Sequence, residues 1–477
     1  MKNRYQKPFF TFLHKKVCLP GSREMWATIL FLLLSVAINA QSLQVSPDGR
    51  HLVKEDGTVF FYMADTGWEM FHRLNKEETE LYLKDRKAKG FNVIQAVILA
   101  EIDGLNTPNA EGNKPLTDND LTKPNEAYFK HVDWVFEKAE ELGIYIAALP
   151  TWGDKWRKQW GVGPVIFDTP PKARQYGEWL GKRYKNQSNI IWVLGGDRNP
   201  INDLFLQINN AMAEGIQTGD EGNHLISYHP GGGNSSSKWF HNEKWLSFNM
   251  MQTGHSNLNA PVYNNVGYDY NLKPAKPCLN GEPQYEDIPV GFSALNQRFV
   301  DFDVRQAAYW SVLAGAMGHT YGNNNIWQMW DKGRDPILAA RLPWYEAIHQ
   351  PGAAQMGFMR KLFESRPFLK MIPDQEVLAK VFGQDKNMIR AARGEDGSFA
   401  IIYTPYGNPV HINLKKLSGD EISGFWYNPR EGTSLPVESF KNSKNIKAFV
   451  PPSGGQMTDW VLVLDDKQKN YPDPATK

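Results

Sequence analysis
The chain has 477 residues, 41% of them hydrophobic, and a formal net charge of +1. That length can bury a large core and accommodates two or three domains. A balanced charge without clustered basic residues argues against nucleic acid or an acidic membrane surface as a partner.

Lys2, Arg4, Lys7, Lys15, Lys16 and Arg23 precede the apolar run "WATILFLLLSVAINA", and Ala40–Gln41 follows as a cleavage point. That is the pattern of a signal peptide, expected over residues 1–40. An uncleaved anchor is the alternative, but the run is short for a membrane span. The mature chain is expected to be exported, periplasmic or secreted, and free of the membrane. Cys18 falls in the segment expected to be removed, which leaves Cys278 without a disulfide partner.

From residue 58, strand-like runs alternate with amphipathic helices. "VFFYMA" opens into Asp65-Thr66-Gly67-Trp68, and the helix "KEETELYLKDRKAKG" ends at Gly90, where a left-handed cap is wanted. "FNVIQAVIL" at 91–99, the helix "EAYFKHVDWVFEKAEELG", "IYIAALPTWG" at 144–153 and the helix "PPKARQYGEWLGKRYKN" follow. "IIWVLGGD" is the fourth strand signal, and a helix over about 201–217 leads to "HLISYHPGGG". "WLSFNMMQTGH" and "KPCLNGEPQYE" read as the sixth and seventh, with no clear helix between them. The helix "DVRQAAYWSVLAGAMG" then feeds "HTYGN", and a last helix spans about 343–363. Eight strands with intervening helices predict a parallel (β/α)8 TIM barrel over residues 41–365. From Phe368 the pattern changes to short alternating runs such as "SFAIIYTPY" and "DWVLVLD". These predict an antiparallel β-sandwich over 366–465, and a loose polar tail at 466–477.

In a parallel barrel the chemistry sits at the C-terminal strand ends. Strand one offers Asp65 and Trp68, strand three Trp152, Asp154 and Trp156, and strand four Asp197 and Arg198. Strand five supplies Tyr228 and His229, strand six His255, strand seven Glu282 and Tyr285, and strand eight Tyr321 with Asn323. Asp197 and Glu282 follow strands that face one another across an eight-stranded ring. Opposed carboxylates are what glycoside hydrolysis needs: one protonates the leaving oxygen, while the other attacks the anomeric carbon or activates water. HExxH, GxSxG, P-loop and GxGxxG motifs are absent, and no His/Asp spacing suggests a metal site or a cofactor.

Plainer roles compete for these residues. Asp197 before Arg198-Asn199-Pro200 could cap a helix, and Glu282 could pair with Arg298 or Arg305. Trp152, Trp156 and Trp160 are spaced by four, which fits a core stripe as well as a sugar platform. A noncatalytic glycan-binding protein would use the same aromatic rim.

The blocks "MADTGWEMFHRL", "VIQAVIL", "LPTWGDKW", "WVLGGDRNP", "MMQTGHS" and "NGEPQYE", in this order, resemble the apiosidase-like catalytic domain of glycoside hydrolase family 140. The resemblance covers about residues 43–365. "RPFLKMIPDQEVL" resembles the small β domain that usually follows it, a domain named for collagen binding. The resemblance implies an exported (β/α)8 glycosidase that cleaves at apiose in rhamnogalacturonan II, a plant pectin. An oligo- or polysaccharide substrate and a monomeric chain are expected, with a different plant or host glycan as the alternative substrate. It implies Asp197 as acid/base and Glu282 as nucleophile of a retaining mechanism. Asp65, Arg198, Tyr228, His229, His255, Tyr285 and Tyr321 would then position the sugar, with Trp68, Trp152, Trp156 and Trp327 stacked against it. One departure is visible: the strand-four acid of such barrels is commonly Glu after Asn, whereas here Asp follows Gly.

Overall fold
A computed structural model describes residues 42–380 and 383–476; the expected signal segment and Cys18 lie outside them. Eight parallel strands occur where the sequence signals them. They are β1 Tyr62–Thr66, β2 Val93–Leu99, β3 Tyr145–Thr151, β4 Ile190–Leu194, β5 Ile226–Tyr228, β6 Asn249–Gln252, β7 Cys278–Glu282 and β8 Gly318–Tyr321. Their ladders fall into two sheets, a curled six-stranded one in the order β8-β1-β2-β3-β4-β5 and a second in which β6 and β7 pair. The seams are held by sparse bonds. Ser247 N donates to Ile226 O at 2.8 Å between β5 and β6, and Met317 N donates to Cys278 O at 3.0 Å between β7 and β8.

The period-two alternation of each strand explains why the runs are apolar on both faces. Ala64, Val93, Val97, Ala147, Leu149, Ile191, Val193, Met250 and Leu279 pack together in one cluster inside the curl. Their neighbours Ile94, Ala96, Ile98, Ile146, Ala148, Ile190, Trp192 and Leu194 belong to another cluster, packed against the helices outside.

Three sequence expectations shift. The run predicted as one strand from residue 58 is divided at Phe61: Val59–Phe60 pairs back onto Leu52–Val53 in an antiparallel N-terminal sheet before β1 begins. A helix, Val262–Tyr270, does separate β6 from β7. The last helix is broken at Pro351, which starts Pro351–Glu364 because proline suits a first helical turn.

The C-terminal region forms a six-stranded antiparallel sheet, from Met371–Pro373 to Trp460–Asp466, with a two-stranded sheet of Val410–Asn413 and Ile446–Phe449. Ile402, Val410, Ile412, Trp426, Phe449 and Leu462 form the core between them. The other face of the large sheet meets helix Asp301–Leu313. There Tyr309 stacks on Tyr403 at 4.8 Å, and Arg305 reaches Asp459 through two hydrogen bonds of 3.0 and 2.9 Å. The polar tail is pinned rather than loose: Tyr471 packs edge-on against Phe399, and Arg366 donates to Pro472 O at 2.9 Å.

Candidate active site
The backbone after β4 decides where Asp197 stands. Gly195, Gly196 and Asp197 all take positive φ, at 91°, 73° and 57°. A side chain on Gly195 would meet His229 O at 2.3 Å, and one on Gly196 would meet Gly153 N at 2.7 Å. Only glycine fits both positions, and Asp is among the few residues that tolerate the left-handed region after them. The consecutive left-handed turns bring Asp197 back over the strand ends. It is not a helix cap, because the next helix starts at Asp203 and is capped by Asn202, whose side chain accepts from Phe205 N.

Glu282 ends β7 and is buried between two histidines. His255 Nε2 lies 2.9 Å from Oε1 and His229 Nε2 lies 3.0 Å from Oε2, the latter off the ideal hydrogen-bond direction. The salt bridges considered from sequence do not form: Arg298 sits beside Asp287, and Arg305 is taken by Asp459 and Asp301. His229 Nδ1 accepts the Asp197 backbone N–H at 3.0 Å, so the proton of the neutral ring resides on Nε2, facing Glu282. One imidazole therefore touches both carboxylate-bearing residues.

The two acids occupy opposite electrostatic environments. Burial, and then the negative charge of Glu282, push the Asp197 carboxyl up to about 7, against the pull of His229, Arg198 and Trp160. Burial alone would also raise Glu282, but the contacts from His229 and His255 outweigh it and hold that carboxyl well below the usual range. Near neutrality one group retains a proton and the other is ionised. Pairs pushed apart in this way divide acid and base roles between them.

Asp197, His255 and Glu282 line a cavity of about 860 Å³ together with Trp68, Trp152, Tyr285 and Trp327. The aromatic wall is braced: Trp68 Nε1 donates to Tyr285 Oη at 3.0 Å, and the Trp68 and Trp152 rings lie 5.4 Å apart. His229 sits behind this wall, edge-on to Trp68 at 5.4 Å.

Besides His229, five residues expected to contact the sugar lie away from the cavity wall. Asp65 is buried with Tyr82 and Arg86, accepting from Tyr82 Oη at 2.7 Å, because it belongs to β1 itself rather than to the loop beyond. Trp156 packs into the helix-side core and donates to Gly195 O at 2.8 Å, supporting the left-handed turn from below. Arg198 is fully buried and donates to Asp197 O at 2.9 Å, and Tyr228 donates to Arg198 O at 2.6 Å. Tyr321 is turned away toward Glu286, to which its hydroxyl donates at 2.5 Å.

Among the wall residues that escaped the sequence reading of the site, two bear on the acids. Trp160, considered only within the stripe of tryptophans, donates from Nε1 to Asp197 Oδ2 at 2.9 Å and covers the Arg198 guanidinium at 4.2 Å. Glu101 follows β2 by two residues and also lines the cavity. Burial, with Asp197, Glu69 and Asp154 adding to it and Arg198 opposing, pushes its carboxyl up to about 8. The rule that singled out Asp197, a carboxylate just past a strand end, points equally to Glu101. Among the described residues no group of three or more His, Cys, Asp or Glu side chains could hold a metal ion.

Residues 46–370 match the family model "Apiosidase-like, catalytic domain". The chain belongs to the apiosidase-like family. Residues 372–465 match the model "Putative collagen-binding domain of a collagenase". A solved structure described as a glycoside hydrolase is 33% identical over 91% of this chain and 98% of its own, with a TM-score of 0.84. A glycoside hydrolase family 5 structure from Bacteroides vulgatus is 32% identical, covering 91% of this chain and 96% of its own, also at 0.84. No curated protein matches the chain. The apiosidase-like protein is thus a glycoside hydrolase acting on a carbohydrate.

Proposed function
We propose that this apiosidase-like protein is an exported family 140 glycosidase that cleaves at apiose in rhamnogalacturonan II. We also propose that its two parallel sheets act as one closed (β/α)8 barrel around the cavity. The observation carrying the catalytic reading is the divided pair: Glu282 held between His229 and His255, and Asp197, whose burial near that negative charge pushes its carboxyl up to about 7.

In this reading Glu282 attacks the anomeric carbon while the glycosidic C–O bond breaks. The leaving oxygen takes the proton of Asp197. The Asp197 carboxylate then removes a proton from water, whose oxygen displaces Glu282 and restores both groups with retained configuration. Trp68, Trp152 and Trp327 form the apolar wall against which a sugar ring packs.

The test is to digest rhamnogalacturonan II fragments beside other plant glycans and follow the anomeric signal of the first product by NMR. Release of apiose-terminated products with the starting configuration is expected. An inverted first product would remove Glu282 from the nucleophile role, and cleavage confined to another glycan would overturn the substrate.

A further inference from the structure
Every other described arginine donates a hydrogen bond to an oxygen. Arg390 does not. It opens strand Arg390–Gly394 of the C-terminal sheet, and its Nε is buried without an acceptor. Among the described residues its guanidinium meets only the Tyr263 ring, 5.1 Å away. Burial pulls this cation's pKa down with no carboxylate to counter it. An unpaired, partly buried charge is costly, and a ligand that supplies the missing acceptor recovers that cost.

Arg390 stands over an open groove of about 600 Å³ on the outside of the molecule. The opposite wall is one face of helix Val262–Tyr270 and its exit, where Tyr263, Gly267 and Asn271, and likewise Asn264 and Tyr268, recur every four residues. Tyr263 is held edge-on against Trp310 at 5.3 Å, and Trp310 is fixed by donating to Met388 O at 2.8 Å. Tyr268 is 67% exposed, and a Cβ added to Gly267 would have nothing within 4 Å. The groove shares no lining residue with the catalytic cavity.

We propose that this groove is a second saccharide-binding site, specific for a carboxylated sugar, a uronate. The planar guanidinium matches a carboxylate through two parallel hydrogen bonds. The exposed Tyr268 ring offers a face for the pyranose, and the Asn264 amide can meet its hydroxyls. The volume suits two or three sugar units. Holding an acidic polysaccharide on this outer face would keep the chain on its substrate between cleavages, because linked sites raise the local concentration of each other's ligand. The sugar half of the proposal rests on the protein being a glycoside hydrolase; the carboxylate half rests on Arg390 alone.

The test titrates trigalacturonate into the full mature chain carrying Glu282→Gln, with and without Arg390→Gln or Tyr268→Ala. Loss of a bidentate charge-assisted pair should weaken binding about tenfold or more. Tyr268→Ala should weaken it too, Arg390→Lys should recover part of it, and the methyl-esterified trisaccharide should bind no better to the parent than to Arg390→Gln. Turnover of small neutral substrates by the Arg390→Gln enzyme should be unchanged, and that assay reads the catalytic assignment separately. Affinity for trigalacturonate within about twofold of the parent in Arg390→Gln would overturn the site. Equal binding of the methyl ester would overturn its charge specificity. Displacement by inorganic phosphate at equal concentration would make it an anion site without sugar recognition, which also overturns the proposal.

Discussion

His229 stands 3.0 Å from the Glu282 carboxylate through Nε2, and its Nδ1 accepts the Asp197 backbone N–H at the same distance. The second bond fixes the tautomer that serves the first. Replacing His229 by Ala should therefore act on Glu282 electronically as well as sterically. Loss of this contact to the ionised carboxylate, worth at most the ~1.5–3 kcal/mol of a well-aligned charged hydrogen bond, should lower turnover by up to roughly 100-fold. With one fewer contact holding it ionised, Glu282 should titrate higher, so the acid limb of kcat/KM should move to higher pH. A pH–rate profile of His229→Ala with an unmoved acid limb would show that Glu282 does not depend on this ring.

The raised Asp197 carboxyl sets the other limb and carries a stability cost. Activity should fall as pH rises through about 7, where the acid loses its proton. An acid that keeps its proton longer when folded destabilises the native state progressively as pH rises from the unfolded pKa to the folded one. The penalty is absent below about 4 and complete above about 7. Asp197→Asn, which tolerates the same backbone, should abolish activity yet raise stability at pH 8 by ~1–3 kcal/mol. Denaturation of both proteins at pH 4 and 8 checks this; an equal difference at the two values would contradict it.

Trp160 and Trp156 should separate cleanly. Trp160→Phe removes the indole donor on Asp197 and alters the cavity wall, so KM should rise and the alkaline limb should move upward. Trp156→Phe should leave KM nearly unchanged but cost about 2 kcal/mol of stability, since it vacates core volume and leaves Gly195 O without its donor. Steady-state kinetics and chemical denaturation on both variants read the contrast directly.

The C-terminal sheet should be required for a stable enzyme. Arg305 and Asp459 are both buried, so Arg305→Met removes two charged hydrogen bonds and leaves Asp459 only Arg430 and Tyr403, which should cost about 1.5–3 kcal/mol. A chain ending at residue 365 would also expose Tyr309, Trp310 and Phe363, which pack in a cluster shared with Phe399, Tyr403 and Val463. That chain should aggregate. A soluble truncated protein with an unchanged unfolding midpoint would refute the stabilising role.

Strand and helix positions were legible because each strand alternates two apolar faces and several helices open on a capping Asn or an N-terminal proline. The helix Val262–Tyr270 escaped notice because Asn, Gly and Asp fill it and few of its side chains are buried. Asp197 and Glu282 were legible as carboxylates past strand ends. Asp65 and Tyr321 obeyed nearly the same rule, yet each lies within its strand and faces buried partners. A shift of one residue along a strand reverses which side of it a group faces, and the strand's end cannot be read that finely from its sequence.

By itself the sequence determined the alternating pattern, the glycines that only a left-handed turn needs, and the residue types available at the rim. Tertiary structure decided which carboxylate is ionised. His229 and His255 come from different strands or loops than Glu282, and their contacts outweigh the burial that would otherwise keep it neutral. Asp197 meets a buried negative neighbour instead and keeps its proton. The division of labour between two chemically similar acids is a property of their surroundings, and those surroundings exist only when the chain is folded.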